Sequence, residues 1–418
     1  MLGEANLSRV RQELNQLKTF DSGIAQEGTT RTLLTDVELQ AREYVKSLMT
    51  DAGMTVEEDA ISNIIGTLPG TEPDLAPVWS GSHIDTVLNA GMYDGMVGVI
   101  GALEACRMIR EAGAPHRRSI SALVFASEEP TRFGIGCIGS RTMANHMTLE
   151  DTRSLVDGNG ISLYQELERL GYTKKDFSSV YKKPGDVFAS VELHIEQAPV
   201  LEQLHCPIGI VEGICAPSYI QVSVVGQQKH AGSTPMNSRL DPVPAAAEII
   251  QEIETMVRAY GNSYTVATVG KLSVFPNASN VIAGSVDFSV DIRALDESVK
   301  KELTERICAY IDTIGKLRGL TVQHKVTTDD IPRRSDARVV SVLQSCCDKR
   351  GIQAHSMVSG AYHDSLLIAE FAPMAMIFVP SRDGISHDPR EYTSMEDICR
   401  GVDVLADSLL TLSNADRL

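Results

Sequence analysis

The chain lacks the features that would place it in several broad protein classes. It has no apolar run approaching the ~20 residues that span a bilayer. Its first residues, MLGEANLSRVRQELNQ, are too polar for the apolar core of a signal peptide. Its eight cysteines form no CxxC pair and no disulfide-scaffold spacing. We therefore expect a cytoplasmic protein with reduced, mostly buried thiols, without membrane spans or stabilising disulfides.

Positive charge is also scarce. The chain has 38 lysines and arginines against 55 aspartates and glutamates, for a formal net charge of -17. This balance argues against nucleic acid or an anionic membrane as the main partner. A small anionic substrate is still compatible with it, because a few local arginines are enough to hold one.

The length of the chain predicts two domains, and the order of apolar patterns predicts the fold of its first half. A chain of 418 residues is too long for one simple core, so two domains are expected. Helical and strand patterns alternate, and the clearest are a helix at 36–53, a strand at 77–81, a helix at 96–112, and strands at 119–126 and 187–195. This alternation predicts an α/β fold with a central, partly parallel sheet.

The pattern changes after about residue 210. The predicted elements are a strand at 217–226, a helix at 242–260, strands at 264–274 and 281–293, and a helix at 296–318. This order suits a compact α+β insert. The α/β pattern resumes at about 327, with a strand at 373–380. We therefore predict a discontinuous main domain, residues 1–211 and 327–418, interrupted by a smaller domain at 212–326.

Four polar clusters follow predicted strand ends in the main domain. They are GSHIDTVLNAGMYDG with His83, Asp85 and Asp94, FASEEPTRFG with Glu128 and Glu129, ELHIEQAP with His194 and Gln197, and SRDGISHDP with His387. Each cluster alone has an ordinary structural explanation, such as a capped surface loop or a solvated acidic turn. Open α/β sheets, however, keep their functional sites at the carboxyl ends of their strands.

Taken together, the clusters predict a metal centre. Carboxylates and three imidazoles offer the oxygen and nitrogen ligands that suit Zn²⁺, Mn²⁺ or Co²⁺ rather than Ca²⁺. An aspartate bridging two ions, with two further ligands on each, would make a two-metal site. Neighbouring residues at a strand end point in different directions, so one glutamate of the Glu128–Glu129 pair can bind metal while the other serves as general base.

These segments resemble the amidase/hydantoinase/carbamoylase group of dinuclear metallohydrolases. Its hallmark motifs occur here in order from about residue 35 to 415, as GSHIDTVLNAGMYDG, SEEPTRFG, ELHIEQAPVLE, KHAGSTPM, SGAYHD and FVPSRDGISHDPREYT. The group includes N-carbamoyl-L-amino acid hydrolases, β-ureidopropionases, allantoate amidohydrolases and ureidoglycolate amidohydrolases. The resemblance implies a catalytic α/β domain with two divalent ions (Zn, Mn or Co) and an inserted α+β dimerisation domain.

The resemblance also implies the ligands of both ions. Asp94 would bridge them. His83 and His194 would complete one site, and Glu129 and His387 would complete the other.

Further roles are implied outside the ligand set. Glu128 would be the general base, and Asp85 would orient a metal-binding histidine. His230 would reach the active site of the partner subunit and stabilise the oxyanion, which requires a homodimer. The remaining matches are to substrate-binding residues, namely Gln197, Asn280, Arg293, Gly360 and His363.

Small departures from the motifs bear on the substrate. The chain reads EEPTRFG where most carbamoylases read EEGSRF, a variant that resembles the ureidoglycolate amidohydrolases. Ala198 and Ala90 stand where the group usually has glycine. We therefore predict hydrolysis of the linear ureido C–N bond of a small carboxylate, with ureidoglycolate ranked first, N-carbamoyl-L-amino acids second and allantoate third. The alternatives are a related amidase or dipeptidase that acts on N-acyl amino acids, and an inactive binding protein on the same fold.

Overall fold

The computed structural model describes residues 1–24 and 27–418, which form fifteen strands and eleven α-helices. The strands are β1 Thr55–Glu58, β2 Ile64–Leu68, β3 Val78–His83, β4 Ile120–Phe125, β5 Ala189–Ile195, β6 Ile208–Ile214, β7 Ala216–Val225, β8 Lys229–His230, β9 Val266–Phe275, β10 Val281–Ile282, β11 Ser285–Ala294, β12 Thr321–Asp329, β13 Arg333–Arg334, β14 Ala354–Ser359 and β15 Met374–Val379. The helices are α1 Leu7–Thr19, α2 Asp36–Asp51, α3 Met96–Glu111, α4 Ile138–Met143, α5 Leu163–Arg169, α6 Val200–Gln203, α7 Pro242–Tyr260, α8 Glu297–Arg318, α9 Ala337–Arg350, α10 Asp364–Ile368 and α11 Met395–Ser413.

The chain divides into two compact units. The larger unit comprises Met1–Glu212, Ser335–Met357 and His363–Leu418. Its strands follow the order β1-β2-β4-β3-β5-β15-β6, with β14 beside β6. The four inner strands β4, β3, β5 and β15 are parallel, whereas β2 and β6 join them antiparallel. The predicted α/β fold with a central mixed sheet is confirmed.

The inner strands are buried on both faces. Every residue of β3, β4, β5 and β15 is buried, as expected for parallel strands covered by helices. Helix α3 packs so closely against β5 that only glycine fits at two of its positions. A Cβ at Gly98 would come 2.5 Å from an atom of Leu193, and a Cβ at Gly101 would come 2.6 Å from another. The small residues of the predicted helix at 96–112 are therefore a packing requirement.

The four polar segments predicted from the sequence lie at one edge of this sheet. Strand β3 ends at His83, and His194 is the last residue but one of β5. The glutamate pair follows β4, and the loop that carries His387 follows β15. Because these four strands are parallel, their carboxyl ends meet at the same edge, where open α/β sheets hold their ligands.

The smaller unit comprises Gly213–Arg334 and Val358–Tyr362. It contains an antiparallel sheet in the order β12-β7-β11-β9, and α7 and α8 pack on its buried face. The alternation of buried and exposed residues along β7 and β11 reflects this one-sided cover. The predicted strand at 281–293 is divided in two, because Val281 and Ile282 form a separate ladder with β8.

The helices and strands predicted from the sequence are present, with bounds that differ from the expected ones by at most four residues. The helices predicted at 36–53, 96–112, 242–260 and 296–318 are α2, α3, α7 and α8. Five longer strands were not predicted individually, namely β1, β2, β6, β12 and β14. No described helix is both long enough and apolar enough to cross a membrane.

Candidate metal centre

Asp94 lies at the middle of the site, in the turn between β3 and α3. Its side chain is buried, and Gly95 follows it with a φ of +71°. A Cβ at Gly95 would stand 2.5 Å from Nε2 of His83. Both the left-handed backbone and the lack of space require glycine at this position.

Two histidines approach one oxygen of Asp94. Nε2 of His194 lies 3.1 Å from Asp94 Oδ1, and Nε2 of His83 lies 3.6 Å from the same atom. The Nδ1 atoms face backbone carbonyls, at 3.0 Å from the Asp85 oxygen for His83 and at 2.9 Å from the Ile195 oxygen for His194. Donation from Nδ1 to a carbonyl leaves Nε2 as the lone-pair atom, which is the usual arrangement of a metal-binding imidazole.

The other oxygen of Asp94 belongs to a second group. Nε2 of His387 lies 3.1 Å from Asp94 Oδ2 and 3.3 Å from Glu129 Oε1. In each of the two groups, the candidate ligand atoms all lie within 4.8 Å of one another. The two groups share Asp94, so the structure brings together all five residues that the sequence nominated as ligands.

A third group meets the same distance criterion. It consists of Glu192, His194 and His363, all buried. The carboxylate of Glu192, however, accepts hydrogen bonds from the hydroxyls of Ser82 at 2.8 Å and Ser365 at 2.6 Å. His363 packs edge-on against His194, with ring centroids 4.5 Å apart. The carboxylate of Glu192 is therefore already engaged by two hydroxyls, and this group shares only His194 with the first one.

The Asp85 carboxylate holds the glutamate pair, which sequence reasoning did not anticipate. Its Oδ1 accepts the Glu128 N–H at 3.2 Å, and its Oδ2 accepts the Glu129 N–H at 3.1 Å. The turn begins at Ser127, whose φ of +52° lies in the left-handed region. His83 makes its shorter contact with the backbone oxygen of Asp85, since the carboxylate is 3.6 Å away.

The acids at this edge are too crowded to ionise independently. Burial, and then the charge of Asp94, raises the pKa of Glu129 to about 7. Burial raises the pKa of Glu128 well above its ordinary value, and Glu129 adds to the effect. Burial alone would raise the pKa of Asp94, but the three imidazoles around it, His194 first, hold it well below its usual range. A hydrogen bond with Asp94 raises the pKa of His387 to about 9. A cation suits such a site, because it relieves the repulsion between neighbouring carboxylates.

Gln197, Ser386 and Glu391 complete the surroundings of Asp94. The side-chain amide of Gln197 donates to Asp94 Oδ2 at 2.8 Å, and Ser386 Oγ lies 3.1 Å from the same oxygen. The Gln197 Oε1 atom is buried and has no hydrogen-bond partner among the described residues. Ser386 and Glu391 were missed by sequence reasoning, although both lie inside the motif FVPSRDGISHDPREYT.

The smaller unit carries the other predicted residues. His230 is exposed, and its Nδ1 accepts the N–H groups of residues 232 and 233 at 3.1 and 3.2 Å. Asn280 is exposed, and its backbone oxygen accepts the N–H of residue 231 at 3.0 Å. The Arg293 guanidinium donates to Asp291 at 3.1 Å and to the Gly360 carbonyl at 3.0 Å. Arg293 is thus already paired, with 27% of its side chain exposed.

Comparison with known proteins identifies the family to which the chain belongs. Residues 67–411 match the model of Peptidase family M20/M25/M40, and the chain belongs to that family. The resemblance to the amidase/hydantoinase/carbamoylase group is confirmed, and so is the assignment of the chain as a hydrolase. The family is metal-dependent, in agreement with the ligand groups around Asp94.

Three curated relatives show which enzymes of this family the chain is similar to. The chain is 40% identical to "Ureidoglycolate hydrolase" of Oryza sativa subsp. japonica over 409 residues, which cover 97% of this chain and 84% of the relative. It is 38% identical to "N-carbamoyl-L-amino-acid amidohydrolase" of Pseudomonas sp. (strain NS671) over 96% of this chain and 97% of the relative. It is 34% identical to "Allantoate amidohydrolase" of Bacillus subtilis (strain 168) over 93% of this chain and 94% of the relative.

The fold of the chain is also similar to that of solved structures. The crystal structure of AtUAH in complex with glyoxylate superposes with a TM-score of 0.86 at 39% identity, over 99% of this chain and 98% of that one. An amidase of the hydantoinase/carbamoylase family from Burkholderia multivorans superposes with a TM-score of 0.91 at 31% identity, over 99% of both chains.

Proposed function

We propose that this hydrolase of amide C–N bonds cleaves the linear ureido bond of a small carboxylate and releases ammonia and CO₂. The observation that carries the proposal is a pair of ligand groups sharing Asp94, with Glu128 Oε2 only 3.8 Å from Nε2 of His83. The named relatives act on ureides that also carry a carboxylate. Ureidoglycolate ranks first because the EEPTRFG segment and the 40% identical rice enzyme both favour it.

We infer that the site holds two divalent ions, Zn²⁺, Mn²⁺ or Co²⁺. One would lie between His83, His194 and Oδ1 of Asp94, and the other between His387, Glu129 and Oδ2 of Asp94. Ions in such a site acidify water and stabilise negative charge on a carbonyl oxygen. The mixed imidazole and carboxylate donors fit these metals better than Ca²⁺.

Glu128 is the proposed proton carrier. Its side chain is only 11% exposed and does not coordinate within either ligand group. Burial raises its pKa well above the ordinary glutamate value, which favours acceptance of a proton from the attacking water. The same carboxyl would then deliver that proton to the leaving nitrogen. Asp85 supports this role by fixing the backbone of Glu128 and of the neighbouring ligand Glu129.

The substrate carboxylate is assigned to the guanidinium of Arg293, aided by Asn280. A planar guanidinium suits a bidentate carboxylate contact, and part of the Arg293 side chain is exposed. The carboxylate of Asp291 already occupies one side of it, so a substrate has to share or displace that partner. The remaining assignments, Gln197 for polar substrate groups and Gly360 and His363 for the SGAYHD loop, rest on the motif resemblance.

We also propose a homodimer in which His230 serves the active site of the partner subunit. The smaller unit offers a suitable pairing edge, since β9 is an end strand of its sheet. Three apolar side chains on β9 are exposed, Val266 at 52%, Leu272 at 56% and Phe275 at 64%. An unpaired apolar edge strand is a ready template for association with a second copy.

Ammonia release from three substrates tests the proposal. Purified protein loaded with Mn²⁺ is given ureidoglycolate, an N-carbamoyl-L-amino acid and allantoate, and ammonia and CO₂ are measured together. We expect turnover of at least one ureide, with the highest kcat/KM on ureidoglycolate. Absence of turnover on every ureide would contradict the proposal.

The alternative enzyme is an amidase or dipeptidase that acts on N-acyl amino acids. We retain this candidate because the chain belongs to a peptidase family. An N-acetyl-L-amino acid and a dipeptide, assayed beside the ureides, separate the two, because only a ureide yields CO₂. An inactive binding protein on the same fold would bind ureides without releasing ammonia, and the intact Glu128 and ligand residues argue against it.

A further inference from the structure

Glu391 is a buried acid that none of the roles above uses. It lies in the loop between His387 and α11, and it is 4% exposed. Its Oε1 accepts the backbone N–H of Tyr93 at 2.8 Å and that of Asp94 at 3.1 Å. Its Oε2 accepts the hydroxyl of Ser386 at 2.9 Å. One side chain therefore joins the Asp94 turn to the loop that carries His387.

The fit between these two segments is close. A Cβ at Gly91 would stand 2.4 Å from both Cβ and Oε1 of Glu391, so any larger residue at position 91 would displace the carboxylate. On the other side, Ser386 Oγ lies 3.1 Å from Oδ2 of Asp94. Glu391 thus acts on Asp94 in two ways, directly through the backbone and indirectly through Ser386.

The geometry separates Glu391 from the ligands themselves. None of the candidate ligand groups found among the described residues includes it. Its oxygens accept charge-assisted hydrogen bonds from two N–H groups and a hydroxyl, so the carboxylate is engaged with donors of the surrounding loops.

We propose that Glu391 is a positioning residue that fixes Asp94 so that Oδ1 faces one ligand group and Oδ2 faces the other. The inference rests on the proposed metal-dependent function. Without Glu391, the turn at 91–95 loses two backbone hydrogen bonds to the loop that carries His387, and the carboxylate of Asp94 is held less firmly, by Gln197 and Ser386. Partners of this kind around metal ligands typically contribute 10- to 100-fold in metal affinity.

The test compares Glu391→Ala with Glu391→Gln in protein loaded with Co²⁺. Affinity is measured by equilibrium dialysis, and the ligand geometry is followed by the visible absorption of Co²⁺. We expect Glu391→Ala to bind Co²⁺ about 10- to 100-fold more weakly and to change the spectrum. Glu391→Gln should remain close to wild type, because its Oε1 accepts both N–H groups and its amide donates to Ser386.

Two further variants guard against a general loss of folding. Asp407 is a matched control, being 6% exposed and accepting the N–H of Leu2 at 2.8 Å and the guanidinium of Arg350 at 2.7 Å. Asp407→Ala should lower the thermal unfolding temperature without changing Co²⁺ affinity. Gly91→Ala should reproduce the effect of Glu391→Ala by a different route, so the inference stays testable if Glu391→Ala does not fold.

Three results would overturn the inference. They are wild-type affinity and spectrum in Glu391→Ala, equal losses in Glu391→Ala and Glu391→Gln, and an equal loss in Asp407→Ala. The proposed function fails separately, if wild-type protein binds no Co²⁺ or, once loaded, hydrolyses no ureide. Because the Co²⁺ measurements need no substrate, the two failures are distinguishable.

Discussion

The adjacent glutamates at the end of β4 have different surroundings although they are neighbours in sequence. Glu129 points to His387, with Oε1 3.3 Å from Nε2, whereas Glu128 lies beside His83 at 3.8 Å. Asp85 accepts both backbone N–H groups and thereby fixes the turn that gives the two side chains different directions. In the proposed mechanism, the pair supplies one metal ligand and one proton carrier from a single strand end.

At this scale, replacing Glu128 by glutamine separates catalysis from metal binding. Glu128→Gln keeps the size of the side chain but cannot accept the proton from water. We expect kcat on the best ureide to fall about 10²- to 10⁴-fold, with metal content unchanged. The exposed Glu150 provides a control, since Glu150→Gln should leave kcat unchanged. Turnover near wild type in Glu128→Gln would contradict the assignment of the base.

Replacing Asp85 by asparagine should impair metal binding and catalysis together. An amide has one acceptor oxygen and would turn an NH₂ group toward one of the two backbone N–H groups. The turn then loses a hydrogen bond, and both glutamates move. We expect Asp85→Asn to lower metal affinity about 10- to 100-fold as well as kcat, measured by dialysis and by ammonia release. An intact metal affinity would mean that the Asp85 carboxylate does not position the site.

Among the elements, α3 depends on glycines at both ends. Gly95 precedes the helix and Gly113 follows it, with φ values of +71° and +59°. An added Cβ meets the ring of His83 at Gly95 and open space at Gly113. The two positions therefore differ in their surroundings and share the same type of backbone strain.

Alanine at each glycine tests this difference. Both substitutions should cost about 1–2 kcal/mol in unfolding free energy from the left-handed backbone. Only Gly95→Ala should also reduce metal content, because its methyl group displaces the ring of His83. Thermal unfolding and metal analysis of the two variants provide the comparison. Full metal content in Gly95→Ala would show that the ring has room to move.

The end strands of the smaller sheet make a second prediction at this scale. Leu272 on β9 is 56% exposed and Val326 on β12, at the other end of the sheet, is 39% exposed. If β9 is the pairing edge, Leu272→Glu should shift the protein from dimer to monomer in sedimentation velocity. Val326→Glu should leave the dimer intact. The reverse outcome would assign the interface to β12.

For the whole molecule, the proposal that His230 acts across subunits is tested by mixing variants. His230→Ala and Arg293→Ala should each have low kcat/KM as homodimers. After subunit exchange, half of the dimers are mixed and each contains one intact site, so activity should recover to about one quarter of wild type. Recovery is measured as ammonia release after co-refolding. No recovery, with mixed dimers demonstrated by mass spectrometry, would contradict this arrangement.

Much of the fold was predictable because apolar periodicity is local. The helices α2, α3, α7 and α8 have such patterns and the inner strands are fully buried runs, whereas β1 and β14 are partly exposed and have weak patterns. The candidate ligand residues were predictable because each lies at or after the end of a strand, within a distinctive motif. The hydrogen bonds around them were not, because their partners lie far apart in the chain.

By itself, the sequence determined the family, the α/β fold with its insert, and the types of ligand atom gathered at one sheet edge. Only the tertiary structure decided which atoms meet. It placed the Asp85 carboxylate against the turn of Glu128 and Glu129, the Arg293 guanidinium against the Gly360 carbonyl, and Glu391 against the backbone of Asp94 across 297 positions of sequence. The physical reason is that a local pattern records which side chains must be buried, whereas a hydrogen bond depends on distances that only the packed chain defines.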